Sequence, residues 1–311
     1  MATGQTTQTD QLESAVVPTA AVRPARAAAR AEVGRPSILS QLVFLAILLF
    51  FTILFIYPFI WLVFASLKPG AEVFSNNLIG SRIVWENYTD LFGRAPVALW
   101  TWNSVLVTLL AAITVTMSSA LVAFGFAYFR FPYRGLLFGI LLATMMLPGA
   151  VTMIPTFLIW DFLGWNNTLV PLWAGNLFAS AFYVFLLRQF FLSLPRELFD
   201  AARVDGANYL RMWWSIALPL TRAALIVVFI FELKAAWTDL VKPLIFIRDQ
   251  AVFTLPRGLK AIIDSPSIGG EKHFELLAVG GVLVTVPMII IFFLGQRYFL
   301  EGIATTGSTG R

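Results

Sequence analysis

The sequence predicts an all-α membrane protein with six transmembrane helices. Of its 311 residues, 59% are hydrophobic and 13% are charged, whereas soluble domains carry roughly a quarter charged residues. Long charge-free runs recur. The first, Leu42–Ser66, has 25 residues, enough at ~1.5 Å per residue to cross a bilayer with room for tilt. Lys and Arg are also shared unevenly between alternate connections, the asymmetry that orients membrane proteins.

Residues 1–36 are polar and then rich in Ala, Arg and Pro, with Arg23, Arg26, Arg30 and Arg35 ahead of the first run. They read as a disordered tail. A signal peptide does not fit, because the apolar run is too long for its core and no small-residue cleavage site follows. The membrane domain is expected over 37–303 and a short tail over 304–311. Pro58 lies inside the first run, and Trp85, Trp100 and Trp102 in the next loop read as interfacial residues. The second run is Val105–Tyr128, closed by Arg130 and Arg134. The third, Gly135–Trp160, contains Pro148 and Pro155, which membrane helices tolerate where neighbours satisfy the freed carbonyls. The fourth is Leu169–Leu187, closed by Arg188. A polar stretch follows, and the fifth run then climbs from Pro219 to about Ile247. The sixth is Leu276–Gln296, with Pro287 inside.

Six spans put both termini on one side. With the N-terminus inside, thirteen Lys and Arg fall on the inner side and seven on the outer, apart from Lys234 and Lys242 in or near the fifth run. The bias favours an N-in, C-in arrangement and places Leu194–Pro219 in the cytoplasm. The absence of Cys excludes disulfides and thiolate chemistry, and the lone His273 excludes a His cluster. The net charge of +5 is scattered among apolar runs and does not point to nucleic acid.

The polar stretch has its own helical grammar. Ser193 suits an N-cap and Pro195 a first turn. Leu198, Ala201, Ala202 and Asp205 follow at helical spacing. Gly206 suits a left-handed terminus, and Asn208 suits the cap of a second helix carrying Leu210, Trp213, Trp214 and Ala217 on one face. By physics alone this is either an amphipathic connector on the bilayer surface or a docking element. The fifth run is unusual in holding Glu232, Lys234, Asp239 and Lys242. Glu232 lies 13 residues beyond Pro219, or ~20 Å along a helix. Intramembrane charges serve as pathway groups or as paired structural ones. Trp237, near Glu232 and Asp239, offers a ring for stacking on a sugar. Asn176 in the fourth run either lines the path or bonds between helices.

Here the residues carry a resemblance. Asp200-Ala201-Ala202-Arg203-Val204-Asp205-Gly206-Ala207, followed at fixed distance by Trp213 and Leu218-Pro219, resembles the EAA loop of ABC importer permeases. Ser66-Leu67-Lys68-Pro69, Asn103-Ser104, Trp237-Thr238-Asp239 with Pro243, Leu255-Pro256-Arg257-Gly258-Leu259, and Gln296-Arg297-Tyr298-Phe299 with Gly302 resemble further signatures of the smaller carbohydrate permeases of the maltose-transporter class. The likeness covers about residues 42–310. It implies the type I ABC importer permease fold in the cytoplasmic membrane of a prokaryote. It also implies a second permease, an ABC ATPase dimer that binds ATP and Mg, and an extracytoplasmic solute-binding protein. This chain would hold no cofactor, metal or catalytic residue, and it contains no Gly-rich phosphate loop with Lys-Ser/Thr.

The coupling loop implied is 191–219, acting through Asp200, Ala201, Ala202, Asp205, Gly206, Ala207, Leu210, Trp213 and Pro219. Leu210 and Trp213 would pack in the ATPase cleft. The implied path residues are Glu232, Lys234, Trp237, Asp239 and Asn176, for a sugar or oligosaccharide. An anionic solute such as glycerol 3-phosphate is the alternative cargo, and an ion-coupled transporter using Glu232 and Asp239 the alternative class. Asp200 stands where the family usually has Glu, Ala223 where Pro is common, Thr238 where Asn is common, and Thr309 where Lys is frequent.

Overall fold

The computed structural model describes residues 37–264 and 273–307, with side chains through Tyr298. The expected tail over 1–36 lies outside the described residues. By internal contacts the chain divides after Ile56. In the first unit the described residues are the opening turns of α1 (Ile38–Ser66), all exposed.

The described residues of the second unit form helices joined by turns and loops. After α1 come a 3₁₀ turn (Gly70–Glu72), α2 (Glu86–Arg94) and α3 (Val97–Tyr128). Next are α4 (Arg134–Thr144), α5 (Gly149–Phe162), α6 (Val170–Trp173), a 3₁₀ turn (Ala174–Phe178) and α7 (Ala181–Leu192). The polar stretch forms α8 (Arg196–Val204) and α9 (Tyr209–Met212), which runs through a π turn (Trp213–Ala217) into α10 (Leu218–Leu220). The chain closes with α11 (Arg222–Trp237), α12 (Val241–Phe246), a 3₁₀ turn (Gln250–Val252), α13 (Leu255–Asp264) and α14 (Phe274–Gly307).

Four of the described helical segments are long and apolar enough to cross a membrane, and two bent pairs raise the number to six. The first bent pair breaks the expected third run, the second bends at the entry to the fifth, and the expected run to Ile247 is broken between α11 and α12. Arg134–Thr144 and Gly149–Phe162 meet at 97°. The break falls before Pro148, which has no N–H and pushes its predecessor out of the α region. Pro148 itself is extended, at ψ 133°, and caps α5. In the fifth, the turn of 83° comes at Thr221, two residues after Pro219. The Thr221 hydroxyl is buried and donates to the carbonyl of Ala217, 2.8 Å away. The fourth run is also interrupted: Ala179 takes φ 65° and ψ 169° between the 3₁₀ turn and α7.

The centre of the second unit is α3, packed against α7 and α11, with α11 packed in turn on α14. Its buried positions include Ala111, Ala112, Ser119, Ala120, Ala123 and Ala127. Such small residues let neighbouring backbones approach closely in lipid. Two apolar clusters occupy opposite ends of α3. One gathers Phe124, Leu187, Phe199, Met212 and Trp213. The other gathers Leu91, Trp100, Trp237, Phe253 and Leu255.

The second cluster is fastened by side chains that hold loop backbone. Asn103 donates to the carbonyls of Ala251 and Phe253 (both 3.0 Å), and Ser104 accepts from the Leu255 amide at 2.7 Å. Asn167 accepts from the amides of Arg248 and Asp249, and Asn87 donates to the carbonyls of Ser66 and Lys68. Trp100 is fully buried, and its indole N–H donates to the Gln250 carbonyl at 2.9 Å. It is therefore a core residue and not the expected interfacial one, because α3 starts at Val97, eight residues before the apolar run. Trp85 and Trp102 remain exposed.

Candidate functional site

Two regions concentrate the predicted residues: the stretch around α8 and α9, and the groove where α5, α6 and α12 meet.

In the first, the α8 terminus forms as its residues dictate. Gly206 has φ 79°, its amide donates to the Arg203 carbonyl, and the Ala207 amide donates back to Ala202. This pair of bonds satisfies the end of α8 through a left-handed glycine. Asn208 caps α9, its side chain accepting from the Arg211 amide at 2.8 Å. Ser193 does something else: it ends α7, donating to the Phe190 carbonyl, and Pro195 takes the cap position of α8.

The faces also differ from expectation. Phe199, which the sequence pattern did not single out, is the buried anchor of α8, packed against Phe124 and Tyr128. Its position between Leu198 and the alanines hid it in a stripe that spacing assigned to small residues. Met212, Trp213 and Ala217 are buried in the same cluster. Trp213 therefore holds the stretch to its own chain and does not point outward, a correction to the cleft-packing role. Asp200, Ala201, Asp205, Leu210 and Pro219 are exposed, and Ala202 and Ala207 are half-buried. Leu210, Val204 and Trp214 form the outward apolar surface, Val204 at 89% exposure. Tyr128, Arg130, Arg196, Asp200, Arg203 and Tyr209 surround a hollow of about 460 Å³ beside it. Asp200 thus stands among three arginines.

The second region is a groove of about 570 Å³ whose walls include Thr152, Thr156, Trp160, Asn176, Asp239 and Lys242. This size suits a small ligand. Asp239 caps α12 by accepting from the amides of Val241 and Lys242, and its other oxygen lies 3.8 Å from the Lys242 ammonium. Asn176 sits on the 3₁₀ turn of the broken fourth span. Its side-chain amide donates to Glu232 at 2.6 Å and to the Ala111 carbonyl at 3.3 Å, while its backbone carbonyl accepts from Ser118 at 2.8 Å. Glu232 therefore ties α11 to the interruption, with Tyr183 of α7 beside it.

The structure separates the other two predicted path residues from this groove. Trp237 is 5% exposed, and its indole donates to the Val284 carbonyl of α14 at 2.9 Å. It is part of the core and has no free face for a sugar. Lys234 lines a different groove, between α11 and α14. The sequence puts all four on one continuous run. However, α11 ends at Trp237 and Asp239 lies in the break before α12, so spacing along the run does not say which neighbour each residue meets.

Residues 117–304 match the family described as the binding-protein-dependent transport system inner membrane component. The chain belongs to that family. It is also similar to the arabinooligosaccharides transport system permease protein AraQ of Bacillus subtilis (strain 168). The two are 31% identical, over 86% of this chain and 96% of the relative. Likeness extends to the sn-glycerol-3-phosphate transport system permease protein UgpE of Yersinia enterocolitica, 30% identical over 81% and 91%. Among solved structures, a bacterial ABC transporter involved in the import of the acidic polysaccharide alginate superposes with a TM-score of 0.73. That match covers 86% of this chain and 98% of the other at 23% identity, and shows a shared fold.

Membership makes this chain a non-catalytic, membrane-embedded transport subunit of an ABC importer. It works with a second permease, a binding protein and a partner ATPase that hydrolyses ATP. The ion-coupled alternative gives way to this assignment.

Proposed function

We propose that the chain, oriented N-in and C-in, forms one wall of an import path for a neutral sugar or oligosaccharide. The observation that carries the substrate reading is the groove at Asn176 and Asp239. Its acid and base are paired with each other, and Thr152, Thr156, Trp160 and Asn176 supply hydroxyl, amide and aromatic surface. A neutral ligand meets no uncompensated charge there, and Trp160 offers a ring face for a sugar. The name of the AraQ relative supports the same class. An anionic cargo would have to draw Lys242 away from Asp239.

Orientation rests on the Lys and Arg bias. It makes 191–219 the cytoplasmic coupling loop, with Asp200, Ala201, Ala202, Asp205, Gly206, Ala207, Leu210 and Pro219 toward the ATPase and Trp213 holding it from within. ATP and Mg belong to the partner ATPase. Asp200 is one methylene shorter than the family's usual Glu and shares its hollow with Arg130, Arg196 and Arg203, so an ATPase cation that pairs with it would compete with arginines of this chain.

The test is uptake by the reconstituted complex of a labelled neutral oligosaccharide against labelled glycerol 3-phosphate, for wild type and Lys242→Met. Oligosaccharide uptake that survives Lys242→Met supports the proposal. Glycerol 3-phosphate uptake abolished by Lys242→Met would reassign the groove to an anion.

A further inference from the structure

Lys234 sits on α11, 12 residues after Arg222 and 14 before Arg248. It is ~18 Å up the helix from Arg222 at ~1.5 Å per residue, close to the middle of a hydrocarbon layer about 30 Å thick. Its side chain is exposed in a groove of about 480 Å³ between α11 and α14, walled by Phe59, Phe231, Met288, Ile289 and Phe292. Among the described residues, no carboxylate lies within ion-pair distance of its ammonium; the described ion pairs are Lys242 with Asp239, Lys260 with Asp264, and His273 with Glu275.

An ammonium at this depth facing hydrocarbon is costly. Snorkelling does not relieve it, because a lysine stem reaches only about 6 Å toward headgroups about 15 Å away. Apart from Lys234 and Thr285 the walls are apolar, so the occupant must be largely apolar with one compensating charge. A helix that crosses the membrane and carries a single carboxylate has that chemistry.

We propose that this groove seats a transmembrane helix of the second permease subunit, whose mid-depth Asp or Glu pairs with Lys234. The inference rests on the family's two-permease assembly and adds the surface and the ion pair. It also moves Lys234 from the translocation path to the subunit interface.

The test is recovery of the second permease with this chain, tagged, from membranes expressing the whole transporter. Lys234→Glu places like charges together and should lower recovery at least about tenfold. Lys234→Met relieves the free chain of a charge facing hydrocarbon and should leave it monodisperse, so its smaller loss of partner cannot be ascribed to misfolding. Converting the partner's intramembrane Asp or Glu to Lys should restore recovery with Lys234→Glu, and to Asn or Gln with Lys234→Met. Wild-type recovery with both variants overturns the proposal. So does normal assembly with altered uptake, which would return Lys234 to the path. Anionic phospholipid seen by native mass spectrometry on wild type and lost in Lys234→Met, with the partner retained, would assign the groove to lipid. Wild-type complexes without any second permease would instead count against the family's assembly.

Discussion

Asn176 shows how one side chain can couple a helix interruption to a charge. It donates to Glu232 and to the Ala111 carbonyl from a 3₁₀ turn that precedes the strained Ala179. Asn176→Ala removes both donors and is expected to cost about 1.5–3 kcal/mol, the range for hydrogen bonds to charged groups. Thermal unfolding of the purified complex measures this, and an unchanged midpoint would mean that Glu232 is satisfied elsewhere. Glu232→Gln keeps an acceptor and should cost less. At this scale the sequence identified both residues as polar groups in an apolar setting but not that they face each other. That contact depends on where the fourth span breaks. Trp237 and Trp213 were misjudged for a related reason: aromatic residues fit a ligand face and a core equally well, and only the packed neighbours decide.

At the scale of elements, glycines make the sharpest distinctions. Gly206 is surrounded by open space, yet its φ is 79°. A Cβ there meets nothing within 4 Å, so the cost of Gly206→Val is chiefly the left-handed penalty, at least about 1–2 kcal/mol. It should loosen the end of α8 and lower ATPase recovery and coupled uptake together, read by pull-down and transport assay. Gly206→Asn, which tolerates that region better, should retain more of both. Gly258 is the converse case. A Cβ there would lie 2.1 Å from the ring of buried Trp100, so Gly258→Ala should destabilise by at least about 1–3 kcal/mol through overpacking. A wild-type melting curve for that variant would mean that α13 shifts freely on α3. Gly206 was legible from its neighbours, since Asp-Gly-Ala before an Asn is local turn chemistry. Gly258 was legible only as part of a motif, because its reason is a tryptophan 158 positions away. The bends at Pro148 and Thr221 were half legible. Proline marks where a helix is weakened, but tertiary packing sets the angle.

For the whole molecule, apolar runs located the spans well because lipid leaves the backbone few alternatives. Their partners were not readable, since in lipid an apolar face does not name the surface it meets. As one subunit of an importer, this chain reconstituted without the ATPase should show no uptake above empty liposomes under any ion gradient. Gradient-driven uptake by the isolated chain would contradict the assignment. Restoring the ATPase, second permease and binding protein with ATP should restore it.

The long α3 passes through both apolar clusters, with the Asn176–Glu232 contact beside its middle. Its 32 residues span ~48 Å at ~1.5 Å each. With the polar contact as its fulcrum, such a rod would act as a lever. A tilt of about 5° about that point carries each end of a ~48 Å rod through about 2 Å, in opposite senses. A push delivered at Phe199 and Met212, through the coupling loop proposed above, would become a counter-movement at Trp100 and Phe253, closing one end of the path as the other parts.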